Sequence, residues 1–374
     1  MMSPEFKTIA TILMMAAGVF SWKKNTYAQL GFLNPVLPRD SVYIKNYPES
    51  ITGRVLFQRK YTGFSIPGKP SDASFRYASN KRFLLGAGFA YKFFNLNISV
   101  GLPYLSPDLK DRGKTRSLDL QTYIFGRKWL FDVYGQFYGG FHIDQKAFVP
   151  GAESYYFRDD IRLRLIGGTA HYIFNPKKFS FRMALLQDEW QQKSSGTFML
   201  NFAAFYGLAY SNTMQQLIPD TLSGQYGNAA VNRFRFVSLG PGLGYAYNLV
   251  IKKHFLLSGS YSANIMASFT REQSVSGYHD AFHFRPGMVF MASAGYHSDN
   301  WNVAVAWINN SIYYKGYSSE GNYSMNVGLY RLTVAKRFNN GKVSRKVLRV
   351  IDKAGERNIL QEIFRPDSTK AVRQ

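Results

Sequence analysis

Segments of about ten residues, in which apolar and polar side chains alternate, recur from Ile51 to Phe338. In one such segment the apolar side chains share one side of an extended chain: Phe94, Leu96, Ile98, Val100 and Leu102. The residues between them are asparagine, serine and glycine. This alternation is typical of a strand with one apolar face, either in a soluble sandwich or in a membrane barrel whose apolar face meets lipid.

The connections between these predicted strands are of two kinds. Three are tight, at residues 126–128, 175–178 and 298–300, and three are long, at residues 143–159, 211–232 and 270–283. Short turns at one rim and long loops at the other are typical of outer-membrane barrels. The sequence therefore predicts an all-β fold, an antiparallel transmembrane β-barrel of about 12 to 14 strands over residues 51–338. The apolar face of residues 94–102 is then expected to face lipid.

The composition favours a barrel over a bundle of membrane helices. The chain has 31 Phe and 26 Tyr, and aromatic residues make up 17% of it, which suits strands and aromatic girdles at a membrane interface. A mean hydropathy of -0.22 is too polar for several membrane-spanning helices. The chain has no cysteine, so disulfides, thiolate metal sites and a cysteine nucleophile are excluded.

The first residues indicate export. Lys7 precedes an uncharged apolar run over residues 9–20, which is too short to span a bilayer, and residues 26–28 offer a small-residue cleavage site. We expect a signal peptide over residues 1–28, a periplasmic segment over residues 29–50 and location in the outer membrane of a Gram-negative bacterium; an inner-membrane anchor is the weaker alternative. Because an exported chain does not meet nucleic acid, the net charge of +23 does not indicate a nucleic-acid-binding protein.

Residues 339–374 form a basic tail with nine Lys or Arg and four Asp or Glu. Val343, Val347 and Val350 have helical spacing, and Gly355 interrupts it. Two interpretations stay open: a solvated periplasmic extension, or a helix that docks on a periplasmic partner or plugs the periplasmic mouth of the barrel.

Arginines alternate with apolar residues in several predicted strands: Arg162, Arg164, Arg182, Arg233 and Arg235. An arginine that faced lipid at mid-bilayer would cost about 2 to 4 kcal/mol. These side chains are therefore predicted to line the lumen, where charged rings favour anions. The alternative is that they pair with lumen carboxylates such as Asp119 and Asp132 and fill the barrel.

The sequence contains no convincing catalytic or metal-binding pattern. His279 and His283 flank Asp280, but two strand positions four apart are separated by about 13 Å, too far for one ion. His142 and His171 lie in predicted strands, yet no serine is set beside either to suggest a hydrolase. We expect no enzyme activity, no cofactor and no metal site.

Several longer phrases resemble one family: "DSVYIKNYPESITGRVLFQRK" (40–60), "LGAGFAYKFFNLNISVGL" (85–102), "SLDLQTYIFGRKWLFDVYGQFYGGF" (117–141) and "NPKKFSFRMALLQDEWQQKSSGTFML" (175–200). This is the domain-of-unknown-function 4421 family, exported proteins of Bacteroidetes-type envelopes. The similarity runs from about Asp40 to Phe338. It implies an envelope barrel and assigns no catalytic or ligand residue.

The expected function is solute passage or an envelope-structural role for a barrel with an arginine-rich lumen. Two alternatives remain: a barrel enzyme that acts on lipid or lipopolysaccharide, and an accessory barrel of a protein secretion apparatus. The expected partners are outer-membrane lipid and lipopolysaccharide, the barrel-assembly machinery during insertion, and a periplasmic protein for the tail.

Overall fold

The computed structural model describes residues 39–339, except for residues 48–49, 68–73, 81–82, 92–93, 106–108, 127, 224–229 and 318–321. The predicted signal peptide and, apart from Asn339, the predicted tail lie outside the described residues. Within them, no helix is long and apolar enough to cross a membrane.

Strands dominate the described part of the chain. They are β1 Ile44–Asn46, β2 Ser50–Ile66, β3 Phe75–Ala78, β4 Phe83–Tyr91, β5 Phe94–Gly101, β6 Arg116–Phe125, β7 Trp129–Ile143, β8 Phe157–Ile173, β9 Glu189–Gln191, β10 Ser195–Ser211, β11 Val231–Ile251, β12 Phe255–Ser274, β13 Gly277–His297, β14 Trp301–Tyr314 and β15 Tyr323–Asn339. Two short helices, α1 Leu109–Arg112 and α2 Arg182–Leu185, and two 3-10 turns, Pro103–Leu105 and Asp220–Leu222, interrupt them.

Ten strands close into an antiparallel ring, in the order β2, β3, β7, β8, β10, β11, β12, β13, β14 and β15. The ring is completed by β15, which pairs with β2 from Ser324 to Asn339. Strands β4 and β5 extend the sheet from β2, and β6 extends it from β7, so the sheet has 13 strands in all. The predicted antiparallel barrel of 12 to 14 strands is confirmed. Strands β1 and β9 form a separate two-stranded sheet.

The two rims of the barrel differ. At one rim, which we call the short-turn rim, strands are joined across residues 252–254 and 298–300, and Ser50 and Asn339 meet. At the other, the long-loop rim, residues 144–156 and 212–230 connect strands. The predicted long loop at 270–283 is wrong, because β12 and β13 continue to a two-residue turn at residues 275–276. Both faces of these strand ends are largely polar, so an apolar alternation could not mark them as strands.

Burial alternates along the strands and identifies the interior. In β10, Phe198 is 70% exposed while its neighbours Thr197 and Met199 are buried. The same alternation leaves Leu239 and Leu243 of β11 exposed. The exposed apolar side chains form a belt around the outside of the barrel, as expected for a wall that faces lipid.

Side chains fill the interior at two levels. Near the long-loop rim, an aromatic core joins residues from many strands, including Phe64, Phe141, Phe234 and Tyr314. Near the short-turn rim, the segment of residues 174–194 folds into the barrel, and its Phe179, Met183 and Leu186 pack against the inner wall. We call residues 174–194 the inner segment. The sequence predicted a tight turn at residues 175–178 and a strand over residues 179–188; the strand is wrong, because this stretch folds inward and contains the helix α2.

A β-bulge reverses the facing of side chains in β7. The register against β8 shifts between Gly139 and Phe141, and Gly140 adopts a φ of 84°, which favours glycine. Below the bulge, Trp129 and Val133 face outward, as the alternation predicts. Beyond it, Phe141 is fully buried in the aromatic core. The bulge therefore supplies a core aromatic from what would otherwise be the outer face.

Candidate functional site

The structure corrects the prediction that the five arginines line the lumen. Strand neighbours of four of them point into the aromatic core, since Ile161, Leu163, Phe234 and Phe236 are almost fully buried. The four alternate with these residues and therefore lie on the outer face, near the long-loop rim: Arg162, Arg164, Arg233 and Arg235. Only Arg182 lies inside the barrel, in α2 of the inner segment rather than in the wall.

Three of the five residues that were predicted to face lipid are exposed in β5. Leu96, Ile98 and Val100 are exposed on the outer side, Ile98 by 65%. The side chain of Phe94 lies outside the described residues, and Leu102 follows the end of β5 and is half-buried. Side chains of the opposite face make contacts across the wall: Ser99 accepts a hydrogen bond from Gln58 (2.9 Å). The two faces of β5 therefore differ in their surroundings, and contact of the exposed face with lipid stays a prediction.

The histidines considered for chemistry do not form a site. His171 is buried inside the barrel against Asn201 (Nδ1···Oδ1 2.6 Å), whereas His142 is buried against the ring of Tyr155 on the opposite side of β7 from the core residues Phe141 and Ile143. Asp280 is bound by Arg271 on the outer face. Within the described residues, no group of three or more His, Asp or Glu is placed to hold a metal ion.

Arginines fix the inner segment in the mouth of the short-turn rim. Arg337 of β15 donates to the carbonyl oxygens of Gln187 (2.9 Å) and Glu189 (3.0 Å), and also to those of Ser298 and Asp299. Arg54 of β2 donates to the carbonyl of Leu186 (3.0 Å). These charge-assisted bonds to backbone carbonyls hold the inner segment to the wall.

The acidic end of the inner segment ties down the residues that precede the barrel. Glu189 accepts from Arg39 (3.0 Å) and Ser180, and Arg182 pairs with Asp188. Burial alone would raise the pKa of Glu189, but Arg39, Arg182 and the Ser180 hydroxyl together hold this pKa below its usual value. Glu189 therefore remains ionised, and Arg39 stays bound.

The wall of the barrel is split between β5 and β6. In the described part of the chain no ladder joins these strands, although β5 pairs with β4 and β6 pairs with β7 along their lengths. One hydrogen bond crosses between them, from Asn95 Nδ2 to the carbonyl of Tyr123 (2.9 Å). Each strand thus turns an unpaired edge toward the other, which is costly in lipid unless the edges find partners.

A cleft of about 800 Å³ occupies this split. Outward-facing apolar residues line its outer part, among them Leu96, Leu118 and Leu120. Inward-facing polar residues line its inner part, among them Asn97, Asp119 and Gln121. The cleft therefore runs through the wall, from the apolar outer surface to a polar interior.

A network of charged and polar groups lies at the inner end of the cleft. Lys60 forms a salt bridge with Asp119 (Nζ–Oδ1 2.6 Å), which also accepts from Gln136 and Tyr138 at 2.9 Å. Deeper in the wall, Gln121 donates to Asp132 (3.0 Å). The partners of Asp119 and Asp132 are thus Lys60, Gln136, Tyr138 and Gln121, and not the five arginines with which the alternative prediction paired them.

Arg331 provides a positive charge at the inner end of the cleft. Its Nε donates to Gln58 (3.0 Å), and within the described residues neither Nη group has a hydrogen-bond partner. Lys60 is paired with Asp119, and Asp132 acts on Arg331 through space without a hydrogen bond, so the Nη groups of Arg331 remain available to a ligand anion. Arg331 was not among the predicted site residues, although "YRLTV" at 330–334 places it on the polar face of a predicted strand, as for the other arginines.

The fold and the faces of its wall define a class. A closed antiparallel sheet with an apolar outer belt, a filled interior and rims of unequal loops is a transmembrane β-barrel. Solved structures with a similar fold include the outer membrane protease OmpT from Escherichia coli (TM-score 0.38, 9% identity, 79% of this chain and 98% of that one). An outer membrane channel from Pseudomonas putida F1 (0.27, 11%, 81% and 100%) and a Pseudomonas aeruginosa FadL homologue (0.25, 8%, 81% and 95%) are also similar.

The chain belongs to the domain of unknown function (DUF4421) family, whose model matches residues 38–338. The predicted family is confirmed over nearly the whole barrel. No curated protein matches the sequence.

Proposed function

We propose that this protein is an outer-membrane barrel that admits an amphipathic anion from the membrane through the split between β5 and β6, as a step of solute passage. The observation that carries the proposal is the cleft, which has an apolar mouth on the lipid side and Arg331 at its inner end. An acyl chain suits the mouth, and a carboxylate or phosphate suits the guanidinium. The function needs no chemical step.

An axial pore is less well supported than lateral entry. The aromatic core and the inner segment occupy the interior at two levels, and the four wall arginines expected in a pore lie outside it. Between these levels, the polar groups around Asp119 are reached from the side through the cleft. A ligand that moves laterally does not have to displace either the aromatic core or the inner segment.

The two strand edges supply a means of opening and closing. When β5 and β6 pair, their backbone groups satisfy each other and the wall is continuous. When they part, the edges need other partners, and the polar head of a ligand together with water can supply them. Entry of the ligand therefore offsets the cost of separating the strands.

The proposal is tested by labelling the full-length protein, in detergent, with a photoactivatable long-chain carboxylate. Labels should map to β5 and β6, and Arg331→Gln should weaken labelling by about tenfold or more, because a hydrogen bond to a charged group contributes about 1.5 to 3 kcal/mol. Arg59→Gln is the matched control, since Arg59 stacks on Phe83 outside the cleft. Labelling that is unchanged in the Arg331→Gln variant would refute the proposal. Equal labelling by an uncharged long-chain alcohol would also refute it.

Lipid contact of the outer belt is a separate prediction. Ile98→Arg should impair membrane assembly by about 2 to 4 kcal/mol if Ile98 lies near mid-depth, because the charge would enter lipid. Asn97→Arg, one residue away on the opposite face, should be tolerated. Membrane fractionation and heat-dependent gel mobility measure both effects and also test outer-membrane location. Equal damage by the two substitutions would contradict the assignment of faces.

A further inference from the structure

Six arginines share the outer face of the barrel near the long-loop rim: Arg116, Arg162, Arg164, Arg233, Arg235 and Arg271. The strand register places them at two adjacent levels. Arg116 and Arg162 both pair with Gly139, and Tyr210 stands between Arg162 and Arg233. At the next level, Leu208 stands between Arg164 and Arg235, and Arg235 is directly opposite Arg271. We call these six residues the arginine belt.

Four arginines of the belt form no ion pair with a carboxylate of the described residues: Arg116, Arg162, Arg233 and Arg235. Arg271 is paired with Asp280, which lies directly opposite it (Nη2–Oδ2 2.6 Å), and Arg162 donates to the backbone carbonyl of Asp159. Arg235 and Arg271 are opposed across neighbouring strands, about 5 Å apart by strand spacing. Asp280 compensates the charge of Arg271, so Arg235 is the cation at this level that has no carboxylate bound to it.

Aromatic contacts hold part of the belt against the wall. The guanidinium groups of Arg164 and Arg233 lie over the ring of Tyr210, at 5.6 Å and 5.1 Å from its centroid, and Arg164 donates to its hydroxyl (3.2 Å). Side chains fixed in this way lose less freedom when they bind an anion. Arginine is also the residue best shaped for bidentate contacts to phosphate.

The belt lies directly above the apolar surface. One level closer to the middle of the barrel, the register brings together Ile166, Tyr206, Val237, Phe269 and Phe282. Of these, Phe269 is 58% exposed. The apolar row lies about 7 Å along a strand from the nearer of the two arginine levels. In a membrane, charged groups at that height meet the headgroups of a leaflet while the apolar row meets acyl chains.

We propose that the arginine belt binds the phosphate groups of lipopolysaccharide in the outer leaflet. Long loops face outward in outer-membrane barrels, so the belt lies at the leaflet in which lipopolysaccharide resides. A phosphate at this level can accept charge-assisted hydrogen bonds from Arg235 and from Nη1 of Arg271, which Asp280 leaves unused, while the acyl chains lie on the apolar row below. This binding site is distinct from the cleft and does not depend on the function proposed for it.

Purified full-length protein in neutral detergent, titrated with bisphosphorylated lipid A, tests the proposal by native mass spectrometry and thermal unfolding. The double substitution Arg235→Gln with Arg271→Gln should weaken lipid A binding about tenfold or more. Added salt should reduce this difference in affinity between the variant and the unaltered protein. Lys336→Gln, an outer-face substitution near the short-turn rim, should bind as the unaltered protein does.

Two further measurements keep the proposal falsifiable. Without lipid A, the single substitution Arg235→Gln should leave the melting temperature nearly unchanged, because Arg235 forms no ion pair and the attraction of Asp280 offsets the repulsion of Arg271. The stabilisation gained from lipid A should shrink. Binding of dephosphorylated lipid A that equals binding of the bisphosphorylated form would overturn the proposal. Equal stabilisation by inorganic phosphate alone would assign the belt to a free anion and reject lipopolysaccharide.

Discussion

Linking β5 to β6 should abolish labelling of the interior by a long-chain carboxylate. The chain has no native cysteine, so Asn97→Cys with Gln121→Cys can be joined selectively by a short bismaleimide. Both residues line the cleft, one on each side of the split. The link should remove nearly all Arg331-dependent labelling, because it holds the two strand edges together. The extent of photolabelling before and after linkage measures the effect.

A matched pair guards against a general effect of the linker. Leu200→Cys with Leu243→Cys joins β10 to β11 where these residues are already paired in the sheet. Linkage there should leave labelling unchanged, and each single cysteine at Asn97 or Gln121 should behave like the unlinked protein. If the linked β5–β6 variant still takes up the probe, the ligand does not enter between these strands.

The second large effect is expected from Arg337→Met. This substitution removes four hydrogen bonds to backbone carbonyls, two of them in the inner segment. Each such bond from a charged group contributes about 1.5 to 3 kcal/mol, and relief of the buried charge offsets part of the loss. We expect the barrel to lose about 3 kcal/mol of stability or more, measured by urea unfolding. In a planar bilayer, the variant should show openings that the unaltered protein lacks.

Lys336→Met is the control for this experiment. Lys336 is the neighbour of Arg337 in sequence but lies on the outer face, over the ring of Trp301 (4.8 Å). Its loss should change unfolding by less than about 1 kcal/mol, the usual worth of an exposed cation–π contact. Similar destabilisation by both substitutions, or unaltered protein that conducts as well as the Arg337 variant, would show that the inner segment does not close the barrel.

The fold could be predicted because each strand carries its own signal. In β5, β7 and β10 apolar and polar residues alternate over the width of a bilayer, and this local pattern survives in the structure. The pattern also indicates which face is outward, but only in the part of a strand that lies within the membrane. At the long-loop rim the rule reverses: Phe234 and Phe236 fill the core while Arg233 and Arg235 face out. Beyond the lipid, burial of aromatics decides which face turns inward.

The cleft could not be predicted in the same way. Whether β5 pairs with β6 depends on contacts between strands, and neither strand differs in pattern from those that do pair. The inner segment was missed for a similar reason. Its apolar residues, such as Phe179 and Leu186, are buried because residues far away in the sequence, Arg54 and Arg337, bind its backbone. The alternation of side chains within one strand does not indicate contacts with residues that are distant in the sequence.

The weakest junction of the closed ring is not the one between its first and last strands, β2 and β15. Strand β2 pairs with β15 over 16 residue pairs, from Ser65 to Ser50, whereas β3 joins β7 by two pairs, Tyr77 with Ile143 and Ala78 with His142. If the barrel unfolds from its weakest ladder, amide exchange should begin at β3 and β7, beside the cleft. The long ladder between β2 and β15 would separate late, so the barrel would open first beside the cleft while its first and last strands stay paired.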